Sequence, residues 1–398
     1  MQTYNGPIFD GDSHLYETPD AFTRYLPKEL EKDWTIHFKT GADNEYALYV
    51  GERKVEITGG YMTPDGKVPP PGNLKEWLRA MKEGKGEVDM RVDMTPDMMH
   101  AEARLKKMDE FNVEGCLLYC GNMVTVPSFL DDAKAGAQVL HAYNRWMLDE
   151  WHFNYKDRIY SAPLISLADL DDAIREAEFV IKNGARAVLM SMGPSVHGRS
   201  PADPYYDRFW SLLNEAHVRV VFHVGEAIYL KHHMAVWGEK MQESRLRQSA
   251  FVWMHGYSER PVVETLSNFI FWNFFARFPN IKMLSAENGC EWVPNMLVKM
   301  DKVRGMAKMG YWPQGQLTER PSTIFKRHVG VVAYPEDDIR GVIDQTGSAE
   351  WIIMGSDYPH AEGVPEPKDF IEEAMGNCSL EEQRKVMYEN GKKFMASI

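Results

Sequence analysis

Cysteine is scarce in this sequence: only Cys116, Cys120, Cys290 and Cys378 occur among 398 residues. They lack the paired spacing of structural metal sites, and so few thiols exclude a scaffold built on disulfides. Cys116 and Cys120 lie in one apolar run, which favours buried packing residues over a redox pair. Residues 1–7 carry neither the basic nor the apolar block of a signal peptide, so we expect a cytoplasmic protein.

Basic residues are in deficit. The chain has 45 Lys and Arg against 58 Asp and Glu, which gives a formal net charge of -13. That balance excludes nucleic acid as a partner, because little positive charge is left to neutralise phosphates. No apolar run is long enough to cross a bilayer, which excludes a membrane-spanning protein. We therefore expect a small-molecule substrate as partner, and a homo-oligomer, namely a dimer.

What the sequence does contain is a regular alternation of apolar runs and helical patterns. Continuous apolar runs are typical of parallel strands that helices cover on both faces. Such runs begin, in chain order, at Ile8, Val113, Ile159, Ala185, Val218, Ile281, Val329 and Trp351. Eight units in a chain of this length predict an α/β fold of the closed (β/α)8 TIM barrel type. A doubly wound open sheet is the alternative, but no glycine-rich phosphate loop follows the first run.

One stretch after the first strand departs from this pattern. Residues 34–97 form an inserted excursion, called the excursion below, within a single barrel domain that spans residues 1–398. Residues 46–50 and 54–58 flank a short turn and predict a hairpin. Three successive prolines at 69–71 are incompatible with the interior of a sheet. Insertions of this length are functional lids or surface arms, so the excursion is a candidate lid.

The first strand, Ile8–His14, turns from apolar to acidic and ends in a histidine. Alternate side chains of a strand share a face, so Asp10, Asp12 and His14 are expected to point the same way. Carboxylate and imidazole groups at this spacing can bind one divalent cation. The alternative is a solvated strand end at which Asp12 caps the following turn.

The ends of later strands supply further ligand types. Barrel enzymes carry their functional residues at the carboxyl ends of the strands. Here the fifth strand ends in His223, the sixth is followed by Glu287 and the eighth by Asp357. Taken alone, each has an ordinary structural explanation. His223 could be a core histidine, Glu287 could form an ion pair with Lys282, and Asp357 could cap a helix. Together with the first strand they predict a binding site for one divalent metal ion.

Residues along nearly the whole chain also match the pattern of a known family. They are Asp12-Ser-His14, Arg104, Met108-Asp109, Tyr143-Asn144, Trp146, His223, Phe278-Pro279-Asn280, Glu287-Asn-Gly289, Trp292, Pro294, Pro321-Ser322 and Gly355-Ser-Asp357-Tyr-Pro-His360. In these residues the sequence resembles the amidohydrolase-related (amidohydrolase 2) family, which includes aminocarboxymuconate semialdehyde decarboxylase and the resorcylate decarboxylases. The resemblance implies a β/α barrel that holds one divalent metal ion.

Carried over residue by residue, the resemblance implies the metal ligands His14, His223 and Asp357. Asp12 stands where many relatives have a first histidine and some have a glutamate. An aspartate makes the site harder and more anionic, so Mn²⁺ and Mg²⁺ become as credible as Zn²⁺. We expect Zn²⁺ or Mn²⁺, with Mg²⁺ or Fe²⁺ as further candidates. The decarboxylases of this family carry a catalytic histidine after the sixth strand, where this chain has Glu287.

We assign catalytic roles to the acidic residues and to His223. A metal ion lowers the pKa of water and polarises a carbonyl, and Asp357 would accept the proton of that water. Glu287 is the candidate for a second acid or base, and His223 is assigned to catalysis as well as to the metal. Asp12, Asp357, Glu287 and Glu226 would crowd around one dication. One of these carboxyl groups is therefore expected to hold a proton.

Five further residues are candidates for substrate contact: Arg199, Trp253, His255, Tyr358 and His360. Any of them could equally be a surface residue. Trp253, Tyr358 and Phe222, with aromatic residues of the excursion, are expected to line an apolar pocket for a ring-bearing substrate. The alternative is that these aromatic side chains fill the core.

Three hypotheses about function follow. The first is a metal-dependent hydrolase that acts on an amide, ester, lactone or activated C–C bond. The second is a metal-dependent, non-oxidative decarboxylase of an aromatic or unsaturated carboxylic acid. The third is a metal-free barrel that binds a ligand without chemistry. We favour hydrolysis, because the sixth strand lacks the histidine of the decarboxylases.

Overall fold

Among the described residues, parallel sheets form the barrel and two small antiparallel sheets lie in the excursion. The computed structural model describes residues 3–42, 44, 46–55, 65–83, 91–195, 198–225, 230–240, 248–256 and 259–396. The strands are β1 Ile8–His14, β2 Ile36–Thr40, β3 Tyr46–Val50, β4 Arg53–Lys54, β5 Lys67–Val68, β6 Val92–Asp93, β7 Val113–Tyr119, β8 Ile159–Ser161, β9 Ala187–Leu189, β10 Arg219–His223, β11 Met283–Ala286, β12 Val329–Ala333 and β13 Ile352–Met354.

Eight parallel strands form a closed ring. Strands β1, β7 and β8 pair in that order, and strands β9 to β13 pair in chain order. The parallel bridges Leu164–Leu189 and Ser13–Tyr358 join these two sheets at both seams. All eight strands predicted from the apolar runs are present, so the predicted (β/α)8 barrel is confirmed and the open sheet is excluded.

Helices follow the strands and cover the ring. They are α1 Glu31–Trp34, α2 Leu74–Lys82, α3 Pro96–Met99, α4 Ala101–Glu110, α5 Ala133–Trp151, α6 Leu170–Lys182, α7 Asp207–Glu215, α8 Leu230–Val236, α9 Ala250–Gly256, α10 Arg260–Phe271, α11 Phe274–Arg277, α12 Val293–Met306, α13 Pro321–His328, α14 Ile339–Thr346, α15 Phe370–Ala374, α16 Leu380–Arg384 and α17 Asn390–Met395. Within the described ranges, none of these helices has the length and apolar character needed to span a membrane.

Local sequence signals explain where several helices begin and end. The Asp169 side chain accepts the Asp172 N–H and caps α6, and Gly184 follows that helix with a φ of +88°. A left-handed glycine after the last turn is a common helix stop, as predicted. The single helix predicted over 98–111 is instead α3 and α4, because His100 adopts an extended conformation with φ of -138°.

The excursion carries an antiparallel sheet in the order β2–β3–β4. Strands β3 and β4 form the predicted hairpin, whereas β2 was not predicted; residues 56–58 of its second arm lie outside the described residues. The excursion also reaches the end of the last barrel strand: the Gly72 N–H donates to the His360 carbonyl and the Leu74 N–H to the Ala361 carbonyl. Its role as a lid stays a prediction.

The carboxyl ends of the barrel strands open on one face and bring the candidate ligands together. His14 is the last residue of β1 and His223 the last of β10. Glu287 follows β11 directly, and Asp357 follows β13 by three residues. Residues far apart in the sequence therefore meet at one end of the ring, as the barrel architecture requires.

Candidate metal centre

The first strand delivers two ligands rather than three. Its pairing with β7 shifts register between Asp10 and Ser13, so the simple alternation of side chains is broken there. The Asp10 carboxylate accepts hydrogen bonds from the Ser356 N–H and hydroxyl, and with Ser13 it lines a cavity against α4. The expectation that Asp10, Asp12 and His14 share a face is wrong for Asp10. Asp12 and His14 are the pair that faces the site.

Backbone carbonyls orient both histidines. His14 Nδ1 lies 3.0 Å from the Cys120 oxygen, and His223 Nδ1 lies 2.8 Å from the Val224 oxygen. A carbonyl only accepts hydrogen bonds, so each Nδ1 carries the proton and each Nε2 is left to bind a cation. His14 is fully buried and His223 nearly so. This arrangement is the one by which proteins prepare imidazole ligands for a metal ion.

Five side chains converge around these two Nε2 atoms: Asp12, His14, His223, Glu287 and Asp357, called the ligand cluster below. The two Nε2 atoms are 3.1 Å apart. Asp12 Oδ1 is 3.2 Å from His14 Nε2 and 3.5 Å from His223 Nε2. Asp357 Oδ1 is 3.4 Å from His14 Nε2, and Glu287 Oε2 is 3.3 Å from His223 Nε2. Asp12, His14, His223 and Glu287 therefore offer ligand atoms that all lie within 4.8 Å of one another, and Asp357 joins them on the side of His14.

These separations fit a bound divalent cation. Ligand atoms about 2.1 Å from a shared ion lie roughly 3.0 to 3.4 Å apart at octahedral or tetrahedral angles. Asp12 Oδ1 is buried beside the two Nε2 atoms, so when both imidazoles are neutral no described residue donates a hydrogen bond to it. That state is expensive for a carboxylate unless a cation satisfies it. The donor set, two imidazoles and several carboxylates, suits Zn²⁺ or Mn²⁺. The residues present thus fit the expected metal ion.

Two of the carboxylates sit on strained backbone. Glu287 has a φ of +50° and Asp357 a φ of +55°, in the left-handed region that non-glycine residues rarely adopt. Such a conformation costs about 1–3 kcal/mol and is held by its surroundings. The Asp357 N–H donates to the Asp12 carbonyl at 2.8 Å, and the Tyr334 hydroxyl donates to the Glu287 carbonyl at 2.7 Å. Strain retained at both positions is consistent with a functional role.

His360 joins the centre from the loop after β13. Its Nδ1 lies 2.8 Å from Asp357 Oδ1, and its ring stacks on the His14 ring with centroids 4.0 Å apart. The sequence suggested a substrate contact for His360. The structure brings it against two members of the ligand cluster, where it fixes the orientation of the Asp357 carboxylate, and the substrate contact stays a prediction.

Electrostatic interactions within the ligand cluster shift the pKa values of its members in different directions. Burial works against the Asp12 carboxylate, but hydrogen bonds from His14 and His223 outweigh it and hold the Asp12 pKa well below its usual range. Burial and repulsion from His360 lower the pKa of His14 to about 3. Burial also disfavours charged His223, yet its hydrogen bond to Asp12 raises its pKa to about 9. Without a cation, the cluster therefore keeps a proton on His223.

The carboxyl groups on the far side of the cluster are pushed towards their neutral forms. Burial raises the pKa of Glu287 well above its usual range, and repulsion from Asp357 adds to this effect. Burial raises the pKa of Asp357 in the same way, with further repulsion from Asp12 and Glu362. This agrees with the expectation that crowded carboxylates cannot all ionise.

Sequence reasoning missed three supporting residues. Glu362 brings a carboxylate oxygen within 4.8 Å of those of Glu287 and Asp357. Arg104, quoted only as a family match, is buried and donates to the Ser13 hydroxyl at 2.8 Å and to the His14 carbonyl at 2.7 Å. Tyr119 packs edge-on against both histidine rings. Only the loop sequence after Pro359 could have drawn attention to Glu362; the other two contacts require the fold.

Two predicted substrate contacts lie away from the cluster. Tyr358 is buried, and its hydroxyl donates to Asp97 Oδ2 at 2.6 Å, while the Arg104 guanidinium lies over its ring. Its ring also packs edge-on against the Phe111 ring, with centroids 5.5 Å apart. Arg199 is 44% exposed and lies 3.4 Å from the Asp203 carboxylate. The roles of Tyr358 and Arg199 in substrate contact stay predictions.

The remaining aromatic candidates have other surroundings. Phe222 packs on Phe269, with ring centroids 5.9 Å apart, and belongs to the core rather than to a pocket wall. His255 packs on Phe251 within α9, and Trp253 on the same helix is 37% exposed. Their substrate roles stay predictions. Glu226, the additional acidic candidate, lies outside the described residues.

Comparison with known proteins settles the family. The family model described as amidohydrolase matches residues 33–395, which is most of the chain. The chain belongs to the amidohydrolase family. The resemblance read from the sequence is therefore confirmed, and with it the assignment of this amidohydrolase to the metal-dependent enzymes, as a hydrolase or a carboxy-lyase.

Solved structures share the fold of this amidohydrolase. An amidohydrolase from Mycobacterium avium subsp. paratuberculosis K-10 is 28% identical with a TM-score of 0.80, and the match covers 99% of this chain and 100% of that one. A 2,6-dihydroxybenzoate decarboxylase from Rhizobium is 14% identical with a TM-score of 0.61 over 98% and 99% of the chains. A dihydroxybenzoic acid decarboxylase from Polaromonas sp. JS666, solved with manganese, is 14% identical with a TM-score of 0.58 over 82% and 95%. No curated protein matches the sequence.

Proposed function

We propose that this amidohydrolase is a metal-dependent hydrolase. Its substrate would be an uncharged, ring-bearing small molecule, cleaved at an ester, lactone, amide or activated C–C bond. One observation supports hydrolysis over decarboxylation. Four carboxyl groups, those of Asp12, Glu287, Asp357 and Glu362, meet around the candidate metal position. Among the described residues, no Lys or Arg forms an ion pair with any of the four.

The charge of the four carboxyl groups affects which substrates can bind beside the metal position. A dication offsets two ionised carboxylates, those of Asp12 and Asp357, so the centre keeps no net positive charge to attract an acid even when Glu287 holds its proton. Each ionised carboxylate about 4 Å from a substrate carboxylate repels it by about 4 kcal/mol at an effective dielectric constant near 20. A decarboxylase has to bind an acid at this position, and no Arg or Lys among the described residues is paired there to compensate. A neutral carbonyl substrate avoids this repulsion.

Four residues would hold the metal ion: Asp12, His14, His223 and Asp357. When bound there, a divalent ion supplies Lewis acidity, polarising a carbonyl and lowering the pKa of water. Asp357 is suited to accept the proton of an attacking water, because the His360 imidazole holds Oδ1 at 2.8 Å in a fixed orientation.

Glu287 is suited to the opposite role. Burial raises the pKa of its carboxyl group, so it can hold a proton at neutral pH and donate that proton to the leaving oxygen or nitrogen. A histidine at this position, as in the decarboxylases, would meet the same environment with a positive charge. Glu287→Gln keeps the size and removes the exchangeable acid, so kcat is expected to fall by about 10²–10⁴-fold.

The test compares two substrate classes on the Mn²⁺- and Zn²⁺-loaded protein. Dihydrocoumarin and phenyl acetate represent neutral aromatic esters, and 2,6-dihydroxybenzoate represents the acids. Hydrolysis of the esters in ¹⁸O-labelled water, with the label in the product acid, supports the proposal. Release of carbon dioxide from the acid without label incorporation contradicts it. His223→Ala should abolish turnover, whereas His100→Gln, at an exposed position, is the matched control.

Two expectations from the sequence stay predictions here. We expect a homodimer, which light scattering on the purified protein can measure. We also expect a cytoplasmic location, which fractionation of the native cells can test. Neither affects the chemistry proposed for the ligand cluster.

A further inference from the structure

We propose that Glu17 is a positioning residue of the candidate metal centre, because its carboxylate holds the loop whose carbonyl orients His14. Glu17 is buried in the segment that follows β1. The loop consists of residues 120–123, which follow β7, and is called the β7 loop below. The proposal concerns the metal centre alone, so it goes beyond the proposed function and applies equally to a hydrolase and to a decarboxylase.

The Glu17 carboxylate accepts hydrogen bonds on both of its oxygens. Oε2 accepts the Asn122 N–H at 3.2 Å and the Asn122 side-chain amide at 3.0 Å. Oε1 accepts the Met123 N–H at 3.2 Å and the Tyr143 hydroxyl at 3.0 Å. A buried carboxylate that receives donors on both oxygens is held in one orientation, and it holds its donors in turn. Two successive backbone N–H groups of the β7 loop are thereby fixed to the segment after β1.

The same loop carries the hydrogen-bond acceptor for His14. The Cys120 carbonyl oxygen lies 3.0 Å from His14 Nδ1. The Leu15 N–H also donates to the Tyr119 carbonyl at 3.0 Å, so the two segments are joined on both sides of Cys120. A neutral imidazole binds a metal ion through Nε2 only while Nδ1 keeps its proton, and the acceptor of that proton decides the tautomer. Glu17 therefore acts on the metal position through the loop and His14, without being a member of the ligand cluster.

Close packing at Gly121 leaves the β7 loop little freedom. A Cβ built on Gly121 would lie 2.6 Å from the Leu15 carbonyl oxygen and 3.3 Å from Glu17 Oε2. The first distance is shorter than any ordinary contact, so a larger residue here has to displace the loop or the segment after β1. Because the backbones of the two segments lie in direct contact, a shift of one displaces the other, and with it the Cys120 carbonyl.

The first measurement is the affinity for zinc, determined on metal-free protein by competition with a chromophoric chelator. Glu17→Gln keeps the shape of the side chain, but whichever way its amide turns, the NH2 group faces a backbone N–H of the β7 loop. The zinc Kd should rise about 10–100-fold, the range typical when a partner of a metal-binding histidine is lost. Tyr143→Phe removes one donor and keeps both backbone N–H bonds, so its Kd should stay close to that of the wild type. Asp301→Asn, which weakens two hydrogen bonds from Ser322 outside the ligand cluster, is the control for lost stability. A Kd for Glu17→Gln no higher than that for Asp301→Asn overturns the proposal.

The second measurement uses the wild type, so it decides the question even if Glu17→Gln fails to fold. Coupling is reciprocal: if the attachment of the β7 loop to Glu17 strengthens zinc binding, zinc strengthens that attachment by the same factor. Hydrogen exchange at the Asn122 and Met123 amides, followed by NMR, should therefore slow by about tenfold or more when zinc is bound. The Ser322 amide, which donates to Asp301 Oδ1, is the reference for a general gain in stability. Selective slowing in the β7 loop supports the proposal, and equal slowing at all three amides overturns it.

Discussion

Binding of a divalent cation to the metal-free protein is expected to release at least one proton per ion at pH 7. The proton comes from His223, whose pKa is raised to about 9 by its hydrogen bond to Asp12 against the effect of burial. At pH 7 a group with that pKa is protonated to about 99%. A metal ion binds the neutral imidazole, so it has to displace this proton.

The size of the pH effect on metal affinity follows from the same pKa of His223. Between pH 7 and pH 9 the neutral fraction of His223 rises from about 1% to about 50%, so the apparent affinity for Mn²⁺ or Zn²⁺ should rise about 50-fold, which is about 2.3 kcal/mol. The direction is fixed by competition: protonated His223 excludes the ion, and raising the pH removes the competitor. Asp357, with its raised pKa, releases a further proton if it ligates the ion.

Titration calorimetry in buffers of different ionisation enthalpy measures both quantities on chelator-treated protein. The number of protons released is read from the dependence of the observed heat on the buffer. His223→Asn should release one proton fewer and bind more weakly, and His100→Gln should behave as the wild type. An affinity that does not change between pH 7 and pH 9 would refute the reasoning, because His223 would then not hold the proton that the geometry gives it.

Three further predictions concern residues around the cluster. Burial raises the pKa of Asp10 from 3.8 to about 7, so the folded state holds a proton that the unfolded state loses, and the free energy of unfolding should fall by about 3 kcal/mol as pH rises from 4 to 7. Urea unfolding of Asp10→Asn should lack this component, and an identical pH profile would contradict it. Arg104→Met removes two buried hydrogen bonds and one partly buried one, and it should cost about 3 kcal/mol by the same assay. A loss below about 0.5 kcal/mol, within the range typical of surface changes, would argue against the role of Arg104 at the end of β1. Tyr358→Phe should lower stability by about 1 kcal/mol and leave kcat/KM unchanged, because the hydroxyl is bound to Asp97; a large fall in kcat would restore Tyr358 as a substrate contact.

The barrel could be predicted because each strand is a continuous apolar run between turn residues. Such runs are required by burial on both faces and so leave a signal in the sequence itself. The helix predicted over 98–111 failed at His100, whose extended backbone separates α3 from α4. Strand β2 was missed because a short strand at the surface has little apolar content, and its pairing with Tyr46–Val50 becomes evident only in the folded chain.

The site was predictable where strand position determines side-chain position. His14, His223 and Asp357 were identified because the barrel brings strand ends together. Asp10 failed because a shift of register changes which face a residue occupies, and no residue type in Ile8–His14 marks that shift. Glu362 was missed because it lies in an irregular loop, where no periodic pattern constrains the direction of a side chain.

The seam between the first and last barrel strands has a consequence for biosynthesis. β1 and β13 meet beside Asp12 and Asp357, so the two ends of the barrel are joined at the metal position itself. A nascent chain that has not yet emerged beyond residue 354 has both histidines but neither Asp357 nor the closed ring. With Asp357 as a proposed ligand, we expect high-affinity metal capture only in molecules that have completed the barrel, so metal content should report finished folding.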